Sequence, residues 1–316
     1  MRLAETDTGM SQGTEYLFPL SIQEAIQILE RYAGKARIIA GGTDVLPEIH
    51  KGRLQGSARP HCLVDITRIP GLDQIRITPV LVEVGAAVTF ANIRDSAFLN
   101  QQVHALADAA RCVGAEAIQN AATWVGNLMQ AMPAADGAII ALALDTEARI
   151  VDGEKAAWRP VGSLFHGPGL SGVDPTRQFV THVRFPRASG MWGTAWGRIG
   201  RRPSLVLPVL NCAVKLCLDS EGEQIRTARI ALGPVAPCPH RARRAEAYLE
   251  GRPPVKSSFV QAARLVQQEA NPRDSITRAS RAYRLDVIRP MIETALETAA
   301  QRALGGTPDH GQQTLR

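Results

Sequence analysis

Ala36-Arg37-Ile38-Ile39-Ala40-Gly41-Gly42-Thr43-Asp44 runs a short β-branched stretch into a glycine pair and a polar turn. The isoleucines suit a strand, and a helical stretch follows from Val45 to about Lys51. Upstream, Ser21 precedes Glu24 just ahead of apolar Ala25, Ile26, Ile28 and Leu29. This reads as a capping box opening an amphipathic helix that runs to about Tyr32 and stops at Gly34. Downstream, beyond a loop from Gly52 to Pro60, Cys62-Leu63-Val64-Asp65-Ile66 reads as a buried strand. Together these segments predict a βαβ unit with a glycine turn at the end of its first strand.

Working outward, the pattern becomes strand-rich from about Leu72, with strands at 75–77, 81–84, 150–151 and 178–185 around helical segments at 91–97 and 101–113. A mostly antiparallel α+β unit is expected there. A third unit opens with Thr194-Ala195-Trp196, continues through strands within 207–218 and 228–232, and closes in helices at 241–250, 257–269 and 277–303. Strands followed by helices again imply α+β. The expected division is a flexible arm at 1–15, a βαβ unit at 16–71, a second unit at 72–187, a third at 188–304 and a tail at 305–316.

A chain of 316 residues with 45% hydrophobic content suffices for sizeable cores. Its longest uncharged apolar run, Gly137 to Leu144, is far below the ~20 residues of a membrane span. The opening residues lack the apolar stretch of a secretion signal, so a cytoplasmic location is expected. The five cysteines, Cys62, Cys112, Cys212, Cys217 and Cys238, never form a CxxC pair, which argues against a locally encoded zinc or iron–sulfur site. The net charge of +6 is carried by basic residues interleaved with acids and without stacking aromatics, a poor match to nucleic-acid binding.

The common catalytic constellations are missing from the sequence. The histidines form no HExxH, and neither a GxSxG elbow nor a GxxxxGK(S/T) loop occurs. Gly167-Pro168-Gly169-Leu170-Ser171-Gly172 satisfies GxGxxG as a string but runs into Val173-Asp174-Pro175 and a strand, so it reads as a loop and not a dinucleotide fingerprint.

Two segments carry more. In Ala40-Gly41-Gly42-Thr43-Asp44 the glycines permit close backbone approach to a diphosphate, and the N–H groups of the turn and following helix supply donors. The competing reading is a tight strand-to-helix turn in which Thr43 or Asp44 merely caps the helix. In Thr123-Trp124-Val125-Gly126-Asn127, a hydroxyl, a glycine backbone and an amide can bond phosphate or a flavin. Asp136, after Pro133-Ala134-Ala135, can accept from ribose hydroxyls. The alternative there is a polar loop leading into a core helix, with Asp136 as its N-cap.

At these segments the sequence resembles the FAD-binding medium subunits of the xanthine oxidase-like molybdenum hydroxylases, a group that includes carbon monoxide dehydrogenase flavoproteins. The first segment is similar to that family's AGGTDL and the second to its TIGGN followed by P-x-x-D. Leu63-Val64-Asp65, Leu142-Ala143-Leu144-Asp145, Ala231-Leu232-Gly233-Pro234-Val235, and Arg278-Ala279-Ser280 with Tyr283-Arg284 resemble further family motifs in the same order. The chain departs from the pattern at Val125, where the family has a glycine, and at Arg198, where it often has a lysine near the flavin. Trp124 suits the core better than a ring contact, and Arg198 can act only as fixed charge.

The resemblance implies an α+β fold: a two-part FAD-binding domain of the vanillyl-alcohol-oxidase type plus a C-terminal α+β domain. Carried over by position, Ala40, Gly41, Gly42, Thr43 and Asp44 would cradle the pyrophosphate. Thr123, Gly126 and Asn127 would form a second contact loop, Asp136 would bind the adenosine ribose, Val173 would pack on a ring, and Arg198 would stand near the flavin. No residue of this chain is expected to act as catalytic acid or base. The family scheme adds a small [2Fe–2S] subunit and a large molybdopterin subunit in a heterotrimer or its dimer, with electrons passing through FAD to an external acceptor. A self-sufficient FAD oxidoreductase and a non-redox scaffold that has lost flavin are the alternatives.

Overall fold

The computed structural model describes residues 14–54, 58–202 and 205–306. Residues 1–13 of the expected arm and 307–316 of the expected tail lie outside that description. Glu15, the last residue assigned to the arm, already belongs to a strand.

The first elements are β1 (Glu15–Leu17), α1 (Ile22–Tyr32), β2 (Ala36–Ile39), α2 (Val45–His50) and β3 (Cys62–Asp65). The Ser21 hydroxyl accepts the Glu24 N–H at 3.1 Å, and the Glu24 carboxylate reaches back to the Leu20 N–H at 2.7 Å, so the capping signal was legible. The strands form a parallel sheet in the order β1-β3-β2. The βαβ expectation is met, with β1 added at the far edge.

Next come β4 (Ile75–Ile77), β5 (Leu81–Gly85), α3 (Phe90–Asp95), α4 (Ala97–Gln102), α5 (His104–Cys112), α6 (Glu116–Ala121), α7 (Trp124–Met129) and α8 (Asp136–Ala143). They are followed by β6 (Glu147–Asp152), β7 (Lys155–Pro160), β8 (Phe165–Gly167), β9 (Leu170–Ser171) and β10 (Gln178–Pro186). An antiparallel sheet in the order β4-β5-β10-β6-β7 results, and β8 and β9 pair as a separate small hairpin. One core of buried side chains runs without a break from α1 (Ala25, Ile26, Leu29) through β5 (Val82, Val84) to α8 and Phe185. The parallel and five-stranded sheets are therefore held by a common apolar interior.

The remaining elements are β11 (Trp192–Ile199), β12 (Leu210–Leu218), β13 (Ile225–Gly233), β14 (His240–Arg241), α9 (Arg243–Leu249), α10 (Lys256–Glu269) and α11 (Arg281–Ala303). The four strands form an antiparallel sheet covered by the helices, with a second core of its own. One parallel and two larger antiparallel sheets make the chain α+β, as expected.

Two close backbone approaches join this last unit to its neighbours and within itself. A Cβ at Gly233 would sit 2.1 Å from the Pro133 carbonyl oxygen, and one at Gly193 would sit 2.1 Å from that of Ala299. Polar bonds add to both kinds of join: across the units the Thr194 hydroxyl on β11 accepts the Ala105 N–H on α5 at 3.1 Å, and within the last unit Arg302 on α11 donates to the Thr194 carbonyl at 2.8 Å.

Candidate functional site

The turn after β2 is built by two glycines with different reasons to be glycine. Gly42 has φ +68°, a left-handed conformation that side chains disfavour, and its Cβ would meet the Leu46 and Ile39 side chains at 2.9 and 3.2 Å. A Cβ at Gly41 would fall 1.9 Å from the Ala121 carbonyl oxygen, inside the end of α6. The turn is thus pressed onto α6, and among the described residues no backbone carbonyl accepts from the N–H groups of Gly41, Gly42, Thr43 or Asp44. Asp44 occupies the N-cap position of α2 but makes no side-chain cap bond. The capping explanation of this segment is removed, and a row of unsatisfied donors remains.

Opposite lies the Thr123 segment, which is a helix and not the expected loop. Thr123 is buried and caps α7, its hydroxyl accepting the Gly126 N–H at 3.0 Å. A bridge to Thr89 holds it in place. Trp124 is fully buried, donates its indole N–H to the Gly137 carbonyl at 2.9 Å and lies edge-on to Phe185 at 6.1 Å. It is a core residue, as its size and apolar neighbours suggested. Val125 is also buried, while Gly126 is exposed. The Asn127 side-chain oxygen is buried without a hydrogen-bond partner.

Both segments face one cavity of about 720 Å³, a volume in the usual range for a cofactor site. Ala40, Gly41, Gly42, Thr43, Asp44, Thr123, Gly126, Asn127 and Val173 all line it, and Val125 contributes to the same wall. The structure therefore gathers nine of the eleven sequence candidates around one space.

Asp136 and Arg198 are not among the lining residues. Asp136 is the first residue of α8, whose N-cap is Ala135, so it is not the cap that one reading assigned it. Its Oδ2 lies 3.5 Å from Arg198 Nε on β11, and its Oδ1 accepts from Asn211 Nδ2 on β12 at 2.6 Å. The cause is the apolar character of α8. All eight of its residues are buried, so its first turn is drawn under the C-terminal sheet, where a carboxylate needs partners. Burial pushes the Asp136 carboxyl up to about 6, opposed by the Arg198 charge and the bond from Asn211. Both residues sit at the seam between α8 and the C-terminal sheet, where they have one another as partners.

Sequence reasoning passed over two parts of the wall. Arg37 lines the cavity, and its Nε is buried without a hydrogen-bond partner. The signal was present in the form of one charged residue inside an otherwise apolar strand. Gly169, Leu170 and Ser171 also line it, although the surrounding GxGxxG string opens no helix and instead forms the β8–β9 hairpin. From the C-terminal unit, Leu207 closes part of the rim.

Residues 10–188, more than half of the chain, match the family model described as the FAD binding domain in molybdopterin dehydrogenase. The chain belongs to this FAD-binding family. Residues 198–299 match the CO dehydrogenase flavoprotein C-terminal domain. The xanthine dehydrogenase FAD-binding subunit of Escherichia coli O157:H7 is 27% identical over 86% of this chain and 91% of that relative. The carbon monoxide dehydrogenase medium chain of Hydrogenophaga pseudoflava is 26% identical over 91% of this chain and 97% of its own length. Among solved structures, carbon monoxide dehydrogenase from Hydrogenophaga pseudoflava superimposes with a TM-score of 0.83 at 26% identity, covering 91% of this chain and 97% of that one. Quinoline 2-oxidoreductase from Pseudomonas putida 86 gives 0.82 at 27% identity, with 92% and 98% covered. The chain is accordingly a flavoprotein subunit of the molybdenum hydroxylase type, an oxidoreductase component.

The cavity suits FAD on its own chemistry. Unsatisfied N–H groups at Gly41 to Asp44 match a diphosphate, the free Asn127 oxygen matches an N–H or hydroxyl donor, and the Arg37 guanidinium adds positive charge.

Proposed function

We propose that this chain is the FAD-bearing relay of a molybdenum hydroxylase, taking electrons from [2Fe–2S] centres of a small partner chain and passing them to an external acceptor. A large partner chain with the molybdopterin cofactor would perform the substrate hydroxylation. The observation that carries this reading is the character of the cavity wall. Among the described residues its charged members are Arg37, Asp44 and Asp174, and none of those lining it is a histidine, cysteine, lysine or tyrosine. Such a wall, dominated by backbone donors, apolar side chains and a few hydrogen-bonding groups, suits the holding of a cofactor whose own chemistry does the redox work.

When bound, FAD supplies the ability to exchange electrons singly and in pairs. The chain's own residues bind and orient it. The N–H groups after β2 would meet the diphosphate, Asn127 and the α7 backbone would fix the opposite side, and buried Val125 and Val173 would exclude water. Asp136 and Arg198 support this arrangement from outside the cavity by fixing α8 against the C-terminal sheet. We place the two-part FAD-binding region at 16–187 and the C-terminal domain at 188–304, with assembly as a heterotrimer or its dimer. No helix among the described residues is long and apolar enough to cross a membrane. That absence is compatible with the cytoplasmic location we propose.

Co-expression with the products of the adjacent genes tests the reading. A yellow complex containing iron and molybdenum, whose flavin is reduced by substrate only when the iron–sulfur chain is present, is the expected result. A yellow chain that oxidises substrate alone would establish a self-sufficient oxidase instead. A colourless chain that refuses added FAD would leave only a scaffold.

A further inference from the structure

Among the described residues, Leu207 is the one member of the C-terminal unit that lines the flavin cavity, and it is 57% exposed there. An apolar side chain so far in water gains little from burial to keep it in place. The backbone just before it is what holds it. Leu205 has φ +53°, in the left-handed region that side chains disfavour. Such strain persists only where the surroundings over-determine it, and it collects where placement serves function. Three backbone groups are held here. The Leu205 N–H donates to the Gly114 carbonyl, in the turn between α5 and α6, at 3.0 Å. The Leu205 carbonyl accepts from Arg202 Nε at 3.1 Å and also from Arg202 Nη2. The Val206 carbonyl accepts from Arg198 Nη2 at 2.5 Å. The bond to Gly114 crosses to the flavin-binding region beside Val113, which itself lines the cavity.

Arg198 is the buried holder, and its guanidinium serves two elements at once. Nε faces the Asp136 carboxylate at the start of α8 at 3.5 Å, while Nη2 holds the Val206 carbonyl. A planar fork of donors can address both groups, whereas one ammonium is a single point of charge. A Cβ at Gly200 would come within 3.0 Å of Arg198 Nη1 and 3.2 Å of the Val206 side chain, so the turn closes tightly around the guanidinium. Compensating the buried Asp136 requires only a cation beside it. The bond to Val206 is a second task, directed at the residue next to Leu207.

We propose that Arg198 is a positioning residue for the cofactor: through the Val206 carbonyl it seats Leu207 on the cavity rim, where the leucine covers bound FAD from water and slows its release. Arg202 secures the same rim from the exposed side, through the Leu205 carbonyl. Neither arginine lines the cavity, so both act at one remove. This role rests on the assignment of the cavity to FAD made above.

The test follows the rate of FAD release from the preloaded full chain, together with quenching of the bound flavin by iodide. Leu207→Ala should release FAD about tenfold faster and open the flavin to iodide, because loss of an apolar contact acts mainly on dissociation. Arg198→Lys keeps a cation against Asp136, so the melting temperature of the flavin-free chain should stay near wild type. Its release rate and iodide quenching should nonetheless rise toward the Leu207→Ala values. The two substitutions together should release FAD no faster than Leu207→Ala alone, since residues that act through one another are not additive. Arg202→Met repeats the comparison on an exposed side chain without disturbing the buried pair, and should speed release only while Leu207 is present. Effects that multiply in the double variants, or wild-type release and quenching in both arginine variants, would overturn the positioning role and leave the FAD assignment standing. A wild-type chain that takes up no FAD would overturn both.

Discussion

Asp136 Oδ2 stands 3.5 Å from Arg198 Nε, in a seam where their side chains are only 9% and 8% exposed. At that distance the contact is an ion pair and not a hydrogen bond, and Arg198 Nε has no hydrogen-bond partner. Asn211 supplies the close bond to the carboxylate, at 2.6 Å. Removing the carboxylate would therefore leave a buried guanidinium and amide without their anion. Asp136→Ala is expected to cost about 3–5 kcal/mol of stability. Denaturant unfolding of the flavin-free chain checks this, because a residue acting only on the cofactor would leave the flavin-free chain unchanged.

The same carboxyl gives the chain a pH signature. Its folded value of about 6 lies above the ordinary 3.8, so between these limits the folded state holds a proton that the unfolded state has released. Stability from this group is full below the lower limit and falls as pH rises through the upper one. Asp136→Asn, which cannot titrate, should flatten the decline of melting temperature over that window. Parallel pH profiles for the two proteins would count against the raised value.

The two turn glycines should respond differently to alanine. Gly41→Ala places a methyl 1.9 Å from a backbone oxygen of α6 and must displace one wall of the cavity. Gly42→Ala meets only movable side chains at 2.9 and 3.2 Å, together with the roughly 1–2 kcal/mol of a left-handed residue. Flavin retention after gel filtration should be lost in the first variant and reduced in the second. The predicted order reverses if the phosphate approach depends on the Cα face of Gly42.

Asn127 offers a cleaner separation of binding from folding. Its side-chain oxygen is already without a partner, so Asn127→Ala removes a buried orphan and should leave flavin-free stability level or slightly raised. FAD affinity should fall by about 1–3 kcal/mol, the cost of a lost hydrogen bond to a polar ligand. Fluorescence titration of flavin into the flavin-free variant measures it. Arg37→Met, which keeps the aliphatic stem, should weaken FAD in the same assay.

How much was legible in the sequence follows from the range of each interaction. The Ser21 cap of α1 and the β2–turn–α2–β3 unit depend on residues a few positions apart and appear as read, although the Glu24 carboxylate closes on the Leu20 N–H and not on that of Ser21. The helix α7 was missed because Gly126 and Asn127 are poor helix formers; the Thr123 cap and the burial of Trp124 hold this single short element. Strand β7 was missed because most of it is exposed at a sheet edge and carries no apolar alternation. The joining of Asp136 to Arg198 is a contact between distant chain positions, so no local pattern announces it. The glycine segments were found because close backbone approach leaves a residue-type signature. Arg37 left only the weak signal of one charge in an apolar strand, and the 169–171 loop enters the site through tertiary placement alone.

Titration of FAD into the flavin-free chain, alongside Gly41→Ala and Asn127→Ala, tests the central claim most directly. Saturable binding of one FAD per wild-type chain, abolished in the first variant and weakened in the second, is the predicted result. A wild-type chain that binds no FAD, or two variants that bind it as tightly as wild type, would contradict the assignment of the cavity.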